Sequence, residues 1–384
     1  MPTPPFITRA ERQRRLKTLR ARMAEAGVDA LVLGSTSNLR YFTGVVWGQS
    51  ERFLGAVVRA DGDIAYIAPR FELDKVESLI SIKGEVLTWE EEQSPYKLIA
   101  KLVARGEAVA LDEHLPLFMY HDMHAALRGR RLLDARPFTA AQRARKSQAE
   151  IALMQYAKTI TLEVHRRAWS QLRAGMRASH VMRFIDEQHR ELAGAPSTFC
   201  IVSFGADTAL PHGGEGDPAL SKGDLVLIDT GTQIDGYNSD ITRTYAFGKA
   251  APDVQKVWAL EKEAQAAAFA AAKIGQPCQS VDAAARAVIE AAGLGPDYSL
   301  PGVPHRTGHG IGLDIHEAPN LVRGDKTPLE IGMCFSNEPM IVVPGAFGVR
   351  LEDHFHMTKS GPRWFTEPQH SLEEPFANAP AFAP

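Results

Sequence analysis

Over the first 140 residues, short apolar runs alternate with longer segments whose apolar positions have helical spacing. The segment 8–27 is predicted to be a helix, and the apolar run 30–34 after it is predicted to be a buried strand. Residues 55–69 contain two apolar runs joined by a short polar turn, which predicts a β-hairpin. Further strands are predicted at 85–89, 108–113 and 131–135, and further helices at 96–105 and 121–129. The alternation indicates a mixed α/β domain.

The remaining residues, 141–384, follow a different order, in which two helices precede two strands and the order then repeats. The first set comprises helices at 142–175 and 180–192 and strands at 224–231 and 237–248; the second comprises helices at 254–275 and 280–293 and strands at 334–343 and 347–357. A faint internal repeat with an offset of 109 residues (338 − 229) accompanies this order. It places Asp229 and Glu338 at equivalent points of two half-domains.

The composition limits the classes of protein to which the chain can belong. With 384 residues, 45% of them hydrophobic and 23% charged, the chain can form a large core and two or three domains. The net charge of −3 gives no reason to expect nucleic acid or a membrane as a partner. Three cysteines without CxxC spacing exclude a disulfide framework and a cysteine zinc site. No apolar leader or 18-residue apolar run is visible, so a cytoplasmic protein is expected.

Two aspartates stand out in the first pair of strands. Asp229 closes the apolar strand LVLI, and Asp240 lies eleven residues further on, across a glycine-containing turn. A carboxylate beside a buried run is costly unless it is paired, hydrogen-bonded or bound to a metal. The two strands can bring both carboxylates together, although one surface aspartate and one capping aspartate would also explain the pattern.

The second pair of strands carries glutamates in similar places. Glu338 interrupts an apolar strand, and strand alternation puts Arg350, Glu352, His354 and His356 on one face. That face is either part of a site or a solvated sheet surface.

A glycine- and histidine-rich segment, HRTGHGIGLDIHEAP, lies between the second pair of predicted helices and these strands. Its glycines lack GxGxxG spacing, so a nucleotide loop is not expected. Glycines on both sides of His309 instead let the backbone bend so that the imidazole projects into a cleft.

If the four carboxylates and His309 converge, they carry four negative charges. Such a cluster cannot stay ionised and buried unless cations neutralise it, and two divalent ions would do so. Oxygen ligands with one imidazole suit Mn²⁺, Co²⁺, Fe²⁺ or Zn²⁺. The lack of thiol ligands argues against a structural zinc site.

Several motifs together resemble the prolidase, aminopeptidase P and creatinase-like metallopeptidases of the "pita-bread" fold. The motifs are NLRYFTG, ALPHGG, DTGTQIDGYNSDITRTY, HRTGHGIGLDIHEAP, NEP and GVRLED, in that order along the chain. The resemblance implies an α/β (α+β) protein with a creatinase-like N-terminal domain, residues 1–140. A pita-bread catalytic domain of pseudo-twofold helix–helix–strand–strand halves, residues 141–384, would follow it. It also implies a homodimer.

The resemblance implies a role for each matching residue. Metal ligands would be Asp229, Asp240, His309, Glu338 and Glu352. His212, His316 and Glu338 would be catalytic, while His305 and Arg350 would bind or support the substrate. For Arg350 two roles stay open: pairing with a substrate carboxylate, or bridging to a metal ligand. The cofactors would be two divalent ions, with Mn²⁺ favoured over Co²⁺, Zn²⁺ and Fe²⁺.

The implied reaction is hydrolysis of the Xaa-Pro bond of small peptides, chiefly dipeptides, by a metal-bridging hydroxide. The alternatives are an Xaa-Pro aminopeptidase for longer peptides and a non-peptidase hydrolase or lyase on the same fold. One departure is visible, since similar sequences often carry a tyrosine where this chain has Val342. If the strand is regular, Glu338, Met340 and Val342 face the same way, and Val342 would lie near the metals.

Overall fold

A computed structural model describes residues 3–103 and 107–376. The chain forms two compact units: Ile7–Arg143 is one, and Ala144–Pro384 with Met1–Phe6 is the other. Among the described residues, no helix combines the length and the apolar character that crossing a membrane requires.

The N-terminal unit contains six α-helices and six strands among its described residues. The helices are α1 (Arg9–Glu25), α2 (Ser37–Thr43), α3 (Leu73–Leu79), α4 (Pro95–Leu102), α5 (Leu117–Ala126) and α6 (Ala140–Arg143). The strands are β1 (Ala30–Leu33), β2 (Gly55–Arg59), β3 (Ile64–Pro69), β4 (Glu85–Trp89), β5 (Ala108–Leu111) and β6 (Arg131–Asp134). They form one mixed sheet in the order β4-β3-β2-β1-β5-β6.

This sheet follows from the predicted pattern of apolar runs. The central strand β1 is buried at all four positions and pairs antiparallel with β2 and parallel with β5. Val32, Val57 and Val109 are fully buried and pack with Ile99 and Met123 from the helices. The predicted hairpin is formed by β2 and β3.

The second unit contains four α-helices and twelve strands among its described residues. The helices are α7 (Gln148–Gln171), α8 (Ala178–Ala193), α9 (Pro252–Ala271) and α10 (Gln279–Ala291). The strands before α9 are β7 (Phe199–Phe204), β8 (Leu225–Gly231), β9 (Gln233–Ile234), β10 (Tyr237–Asn238) and β11 (Ile241–Ala246). Those after α10 are β12 (Gly308–Gly310), β13 (Glu317–Leu321), β14 (Cys334–Asn337), β15 (Met340–Val343), β16 (Phe347–Arg350), β17 (Asp353–Thr358) and β18 (Gly361–Trp364). Two helices followed by strands thus occur twice, as predicted.

In the first half, β8 is the middle strand of the sheet β11-β8-β7. A tight hairpin, β9–β10, separates β8 from β11, and its two turn residues, Asp235 and Gly236, have φ values of 46° and 78°. Positive φ at both central residues is what a two-residue hairpin of matching twist requires, and Asp-Gly is a preferred pair there. The hairpin returns the chain so that β11 lies beside β8.

In the second half, the prediction of two uninterrupted strands at 334–343 and 347–357 is wrong. Each is broken at its glutamate: β14 ends before Glu338-Pro339, and β17 begins after Leu351-Glu352. Proline cannot donate to a strand ladder, which explains the first break. β14 and β17 belong to the sheet β13-β12-β14-β17-β18, whereas β15 and β16 pair with each other. Strand alternation therefore cannot be carried across either glutamate.

Other boundaries also differ from the prediction. The long helix expected at 142–175 begins only at Gln148, because Ser147 caps it and forms a reciprocal capping box with Glu150. Strand β7 was not predicted, and neither were the short strands β12 and β13 of the glycine-rich segment.

Candidate metal centre

The first half of the second unit contributes two nearly buried carboxylates. Asp229 lies in β8, where its Cα is paired with that of Thr242 on β11, and Asp240 directly precedes β11. Asp229 is 8% exposed and Asp240 is 4% exposed. The hairpin between the strands thus brings the two aspartates to the same end of the sheet.

The second half contributes Glu338, Glu352 and His309. The Nε2 atom of His309 lies 3.1 Å from Oε1 of Glu338 and 3.7 Å from Oδ2 of Asp240. Ligand atoms of His309, Glu338 and Glu352 all lie within 4.8 Å of one another. The structure therefore brings residues of both halves together in one cluster.

The ring of His309 is oriented toward the carboxylates. Its Nδ1 atom lies 2.9 Å from the carbonyl oxygen of Gly310, which can only accept a hydrogen bond. A proton is therefore on Nδ1, so a neutral imidazole, the form that binds a metal ion, would present the Nε2 lone pair toward Glu338 and Asp240. A backbone partner of this kind is typical of metal-binding histidines.

Neighbouring side chains hold the carboxylates in place. Arg350 donates from Nη2 to Oδ2 of Asp229 over 2.6 Å, and both groups are buried. The hydroxyl of Thr242 donates to Oε2 of Glu352 over 2.8 Å. The hydroxyl of Ser336 donates to Oε1 of Glu338 over 3.0 Å.

The cluster carries more negative charge than its surroundings balance. Burial, followed by the charges of Asp229 and Glu338, raises the pKa of Asp240 well above its usual value. Burial and the same kind of repulsion raise the pKa of Glu352. Burial also raises the pKa of Asp229, an effect that the charge of Arg350 partly offsets. Burial would raise the pKa of Glu338 too, but His309 in its doubly protonated form donates to this carboxylate from Nε2 and carries a positive charge, and these two effects lower that pKa in the metal-free protein.

The hydrogen bonding of two buried carboxylate oxygens indicates whether a cation fits this cluster. Oδ1 of Asp229 and Oε1 of Glu352 have no hydrogen-bond partner among the described residues. Buried carboxylate oxygens without partners are costly, and a divalent cation satisfies several of them at once. The lone pair of His309 Nε2 points to the same place. The donor set fits one or more divalent metal ions.

The cluster opens into a cavity of about 630 Å³. We call the buried cluster the cavity floor: Asp229, Asp240, His309, Glu338, Glu352 and Arg350. The more accessible polar residues form the cavity rim: His212, His305, Arg306 and His316. The remaining lining comes from Phe199, Ile201, Pro211, Pro304 and Ile315. All nine sequence-predicted site residues thus line one cavity.

Residues 152–359, over half of the chain, match the model of Metallopeptidase family M24. The chain belongs to metallopeptidase family M24. Residues 15–145 match the Creatinase/Prolidase N-terminal domain. The protein is therefore a metallo-hydrolase, and the predicted family and fold class are confirmed.

Relatives of the M24 family resemble the whole chain. An Xaa-Pro dipeptidase of Lactobacillus delbrueckii subsp. lactis is 30% identical over 91% of this chain and 96% of its own length. The crystal structure of dipeptidase PepE from Mycobacterium ulcerans matches with a TM-score of 0.88 and 33% identity, over 96% of this chain and 98% of that one. The prolidase of Thermococcus sibiricus matches with a TM-score of 0.86 and 30% identity, over 94% and 98% of the two chains.

Two residues at or near the site, Arg306 and Lys158, were not recognised as candidates in the sequence. Arg306 lines the cavity, although in the sequence it stands next to the more conspicuous His305. Lys158 is fully buried and donates to the carbonyl oxygen of Asn238 over 3.0 Å. A lysine in the middle of helix α7 was the one visible signal for Lys158.

The sequence did place two histidines on the face of Glu352. His354 is fully buried with Nε2 3.8 Å from Oε1 of Glu352, whereas His356 packs against the ring of Phe365.

Proposed function

We propose that this M24 enzyme is an Xaa-Pro dipeptidase that uses two divalent metal ions. The observation that carries the proposal is the convergence of four carboxylates and His309 at the floor of one cavity. Relatives named Xaa-Pro dipeptidase and prolidase, which match more than 90% of this chain, support the choice of substrate.

Asp229, Asp240, His309, Glu338 and Glu352 would hold the metal ions. Bound divalent ions would supply Lewis acidity and bring the pKa of water toward neutrality. Their positive charge would also offset the repulsion that raises the pKa values of Asp240 and Glu352. Mn²⁺ is the ion we favour, because most of these donors are carboxylate oxygens.

Glu338 is suited to moving a proton. Its side chain is 14% exposed, more than those of Asp229 (11%), Asp240 (6%) and Glu352 (2%). We assign to it the acceptance of a proton from the attacking water and its return to the prolyl nitrogen, which must be protonated to leave. Its hydrogen bond from Ser336 fixes the direction of the carboxylate.

His316 is suited to donating a hydrogen bond as a neutral group. Burial, followed by the charges of His309 and Arg306, lowers the pKa of His316 to about 4. Its ring lies 4.1 Å from that of His309, and the residue is exposed to the cavity. A neutral imidazole N–H there can stabilise the oxyanion that develops on the scissile carbonyl.

The remaining predicted residues divide into two groups. His212 is exposed at the rim, where it can contact the substrate. The Nδ1 atom of His305 contacts the carbonyl oxygen of Arg306 over 2.7 Å, which fixes its ring at the rim. The guanidinium of Arg350 donates hydrogen bonds to Asp229, to the hydroxyl of Thr242 and to the carbonyl oxygen of Pro211. These contacts support holding a metal ligand as its role.

Other features of the enzyme stay predictions. They are the domain division at residue 140, the homodimer, the choice of manganese and the cytoplasmic location. The three cysteines are unpaired, which agrees with a reducing compartment.

Proline release from Leu-Pro tests the proposed function. We expect metal-stripped protein to be inactive and to cleave Leu-Pro once Mn²⁺ is added. The reason is that the cations offset the charge of the floor carboxylates and activate the attacking water. Leu-Ala serves as the control for proline specificity, and Leu-Pro-Gly separates a dipeptidase from an aminopeptidase. Proline would be measured colorimetrically and bound metal by atomic emission.

Cleavage of Leu-Pro-Gly as fast as Leu-Pro would favour the aminopeptidase. If neither peptide is cleaved while metal is bound, the protein is a non-peptidase hydrolase or lyase of this fold.

A further inference from the structure

A buried histidine, His354, lies beside the floor and takes no part in the proposed reaction. It stands in β17 and is fully buried, and the described residues that line the cavity do not include it. Its Nε2 atom lies 3.8 Å from Oε1 of Glu352. His354 therefore approaches this metal ligand from the interior of the protein and not from the cavity.

The ring of His354 lacks the hydrogen bonds that a buried imidazole normally makes. Neither Nδ1 nor Nε2 makes a hydrogen bond of normal geometry among the described residues, although the backbone of Asp240 lies close enough to interact with the ring. Oε1 of Glu352 has no hydrogen-bond partner there either. Buried polar atoms without partners are rare and costly, and a metal ion bound by both side chains would account for the two together.

The sheet fixes the direction of this side chain. His354 on β17 and Ser336 on β14 are directly opposed cross-strand partners, so their side chains lie on one face of the sheet. The hydroxyl of Ser336 donates to Glu338 and accepts a hydrogen bond from the backbone N–H of His309. The ring centroids of His309 and His354 are 6.3 Å apart. Both histidines thus face the same group of carboxylates.

The distances within this group suit ligands of one ion. Ligand atoms of His354, Asp240 and Glu352 all lie within 4.8 Å of one another. Two ligands that are each about 2.1 Å from an ion can be at most about 4.2 Å apart. The 3.8 Å between His354 and Glu352 lies inside this limit. An ion held by Asp240 and Glu352 is therefore within reach of the imidazole.

An imidazole is a suitable additional donor at this place. The floor already has four carboxylates, and a neutral ring adds a lone pair without adding a negative charge. It also raises the share of nitrogen donors, which favours Co²⁺ and Zn²⁺ over Mn²⁺ relative to a site made of carboxylates alone. Because the ring comes from behind the floor, it leaves the cavity side of the metal ions to water and substrate.

We propose that His354 is a further protein ligand of the metal centre and binds the ion that Asp240 and Glu352 hold. This role depends on the proposed function, since it requires bound metal, and it adds a second imidazole to the donor set. Loss of His354 should therefore weaken the binding of Co²⁺ more than the binding of Mn²⁺.

Proton NMR of the Co²⁺-loaded protein counts the bound imidazoles directly. The ring N–H proton of a histidine bound to high-spin Co²⁺ is shifted far outside the ordinary spectral range, and isotope-labelled histidine identifies it as an imidazole proton. We expect two such resonances per subunit in the wild type, from His309 and His354, and one in His354→Leu. The matched control is His356→Leu on the same strand, which should keep both, because that ring packs against Phe365.

Metal affinity is the second readout. Competition with a chelator should show Co²⁺ binding weakened by at least about tenfold in His354→Leu and Mn²⁺ binding weakened by less. His356→Leu should bind both ions within about twofold of the wild type. Melting temperatures of the metal-free proteins show whether the variants are folded. If His354→Leu does not fold, the number of resonances in the wild type decides alone.

A single bound-imidazole resonance in the fully Co²⁺-loaded wild type would overturn the role of His354. Unchanged Co²⁺ affinity of a folded His354→Leu would overturn it as well. Cleavage of Leu-Pro, measured on the same preparations, separates this role from the proposed function. Cleavage with one resonance would leave the proposed function intact, whereas two resonances without cleavage would support the ligand and count against the proposed reaction.

Discussion

The floor and the rim of the cavity are built in different ways. Floor residues lie on strands or at strand breaks, are nearly buried, and have their carboxylates held by Arg350, Thr242 and Ser336. Rim residues such as His212 and His316 lie outside regular strands and are exposed to the cavity. The floor is thus fixed by packing and hydrogen bonds, whereas the rim includes two exposed side chains, His212 and His316.

This difference separates two kinds of requirement. Metal ligands must be held at defined distances before the metal binds, so their supporting contacts are part of the fold. Substrate contacts need accessible groups, and His212 and His316 on the rim are exposed. Substitutions on the floor should therefore affect metal binding and stability together, and those on the rim should affect substrate binding alone.

The largest effect should follow from removing a floor carboxylate. Asp240→Asn should lower the activity of the Mn²⁺-supplemented enzyme by more than about 100-fold. Mutating a residue that only hydrogen-bonds to a metal ligand typically lowers metal affinity or activity by about 10- to 100-fold, and loss of a ligand should cost more. Bound metal per chain should fall in parallel, as measured by atomic emission. Asp253→Asn, an exposed position in the first turn of α9, is the control and should change neither.

The same variant should make the metal-free protein more stable. The pKa of Asp240 is higher in the folded than in the unfolded chain, so its ionisation at neutral pH opposes folding. Asparagine removes that cost. A lower free energy of unfolding in urea for metal-free Asp240→Asn would contradict this account of the floor.

The next largest effect should distinguish the two arginines. Arg350→Gln leaves a buried Asp229 without its cation and should reduce the free energy of unfolding by about 3–5 kcal/mol. Arg306→Met should change it by no more than about 0.5 kcal/mol, because the half-buried guanidinium has no carboxylate partner among the residues that the structure describes. Urea denaturation of both variants makes the comparison. Equal destabilisation would mean that the rim is as tightly built as the floor.

The sequence was informative where a residue interrupts a regular pattern. Asp229 at the end of an apolar strand and Glu338 inside one could be recognised because each is costly without a partner. Arg306 could not, because an arginine in a loop is ordinary and its place in the cavity lining is visible only in three dimensions. The strand breaks at Glu338-Pro339 and Leu351-Glu352 were also missed, since alternation was assumed to continue through them.

The position of Val342 shows the consequence of those breaks. The expectation that it faces the site with Glu338 depended on a regular strand. Val342 instead is 3% exposed and packs with Ala209, Leu227 and Met340, and the described residues that line the cavity do not include it.

The smallest effect should come from Val342→Tyr. Overpacking of a filled cluster typically costs about 1–3 kcal/mol, so we expect a loss of that size in the free energy of unfolding, measured in urea. The kcat/KM for Leu-Pro should stay within about twofold of the wild type, because the new ring would have no place in the cavity. Val343→Tyr, at the neighbouring and more exposed position, is the matched control and should be less destabilising. A change in substrate preference for Val342→Tyr without a loss of stability would mean that the strand turns this side chain toward the floor after all.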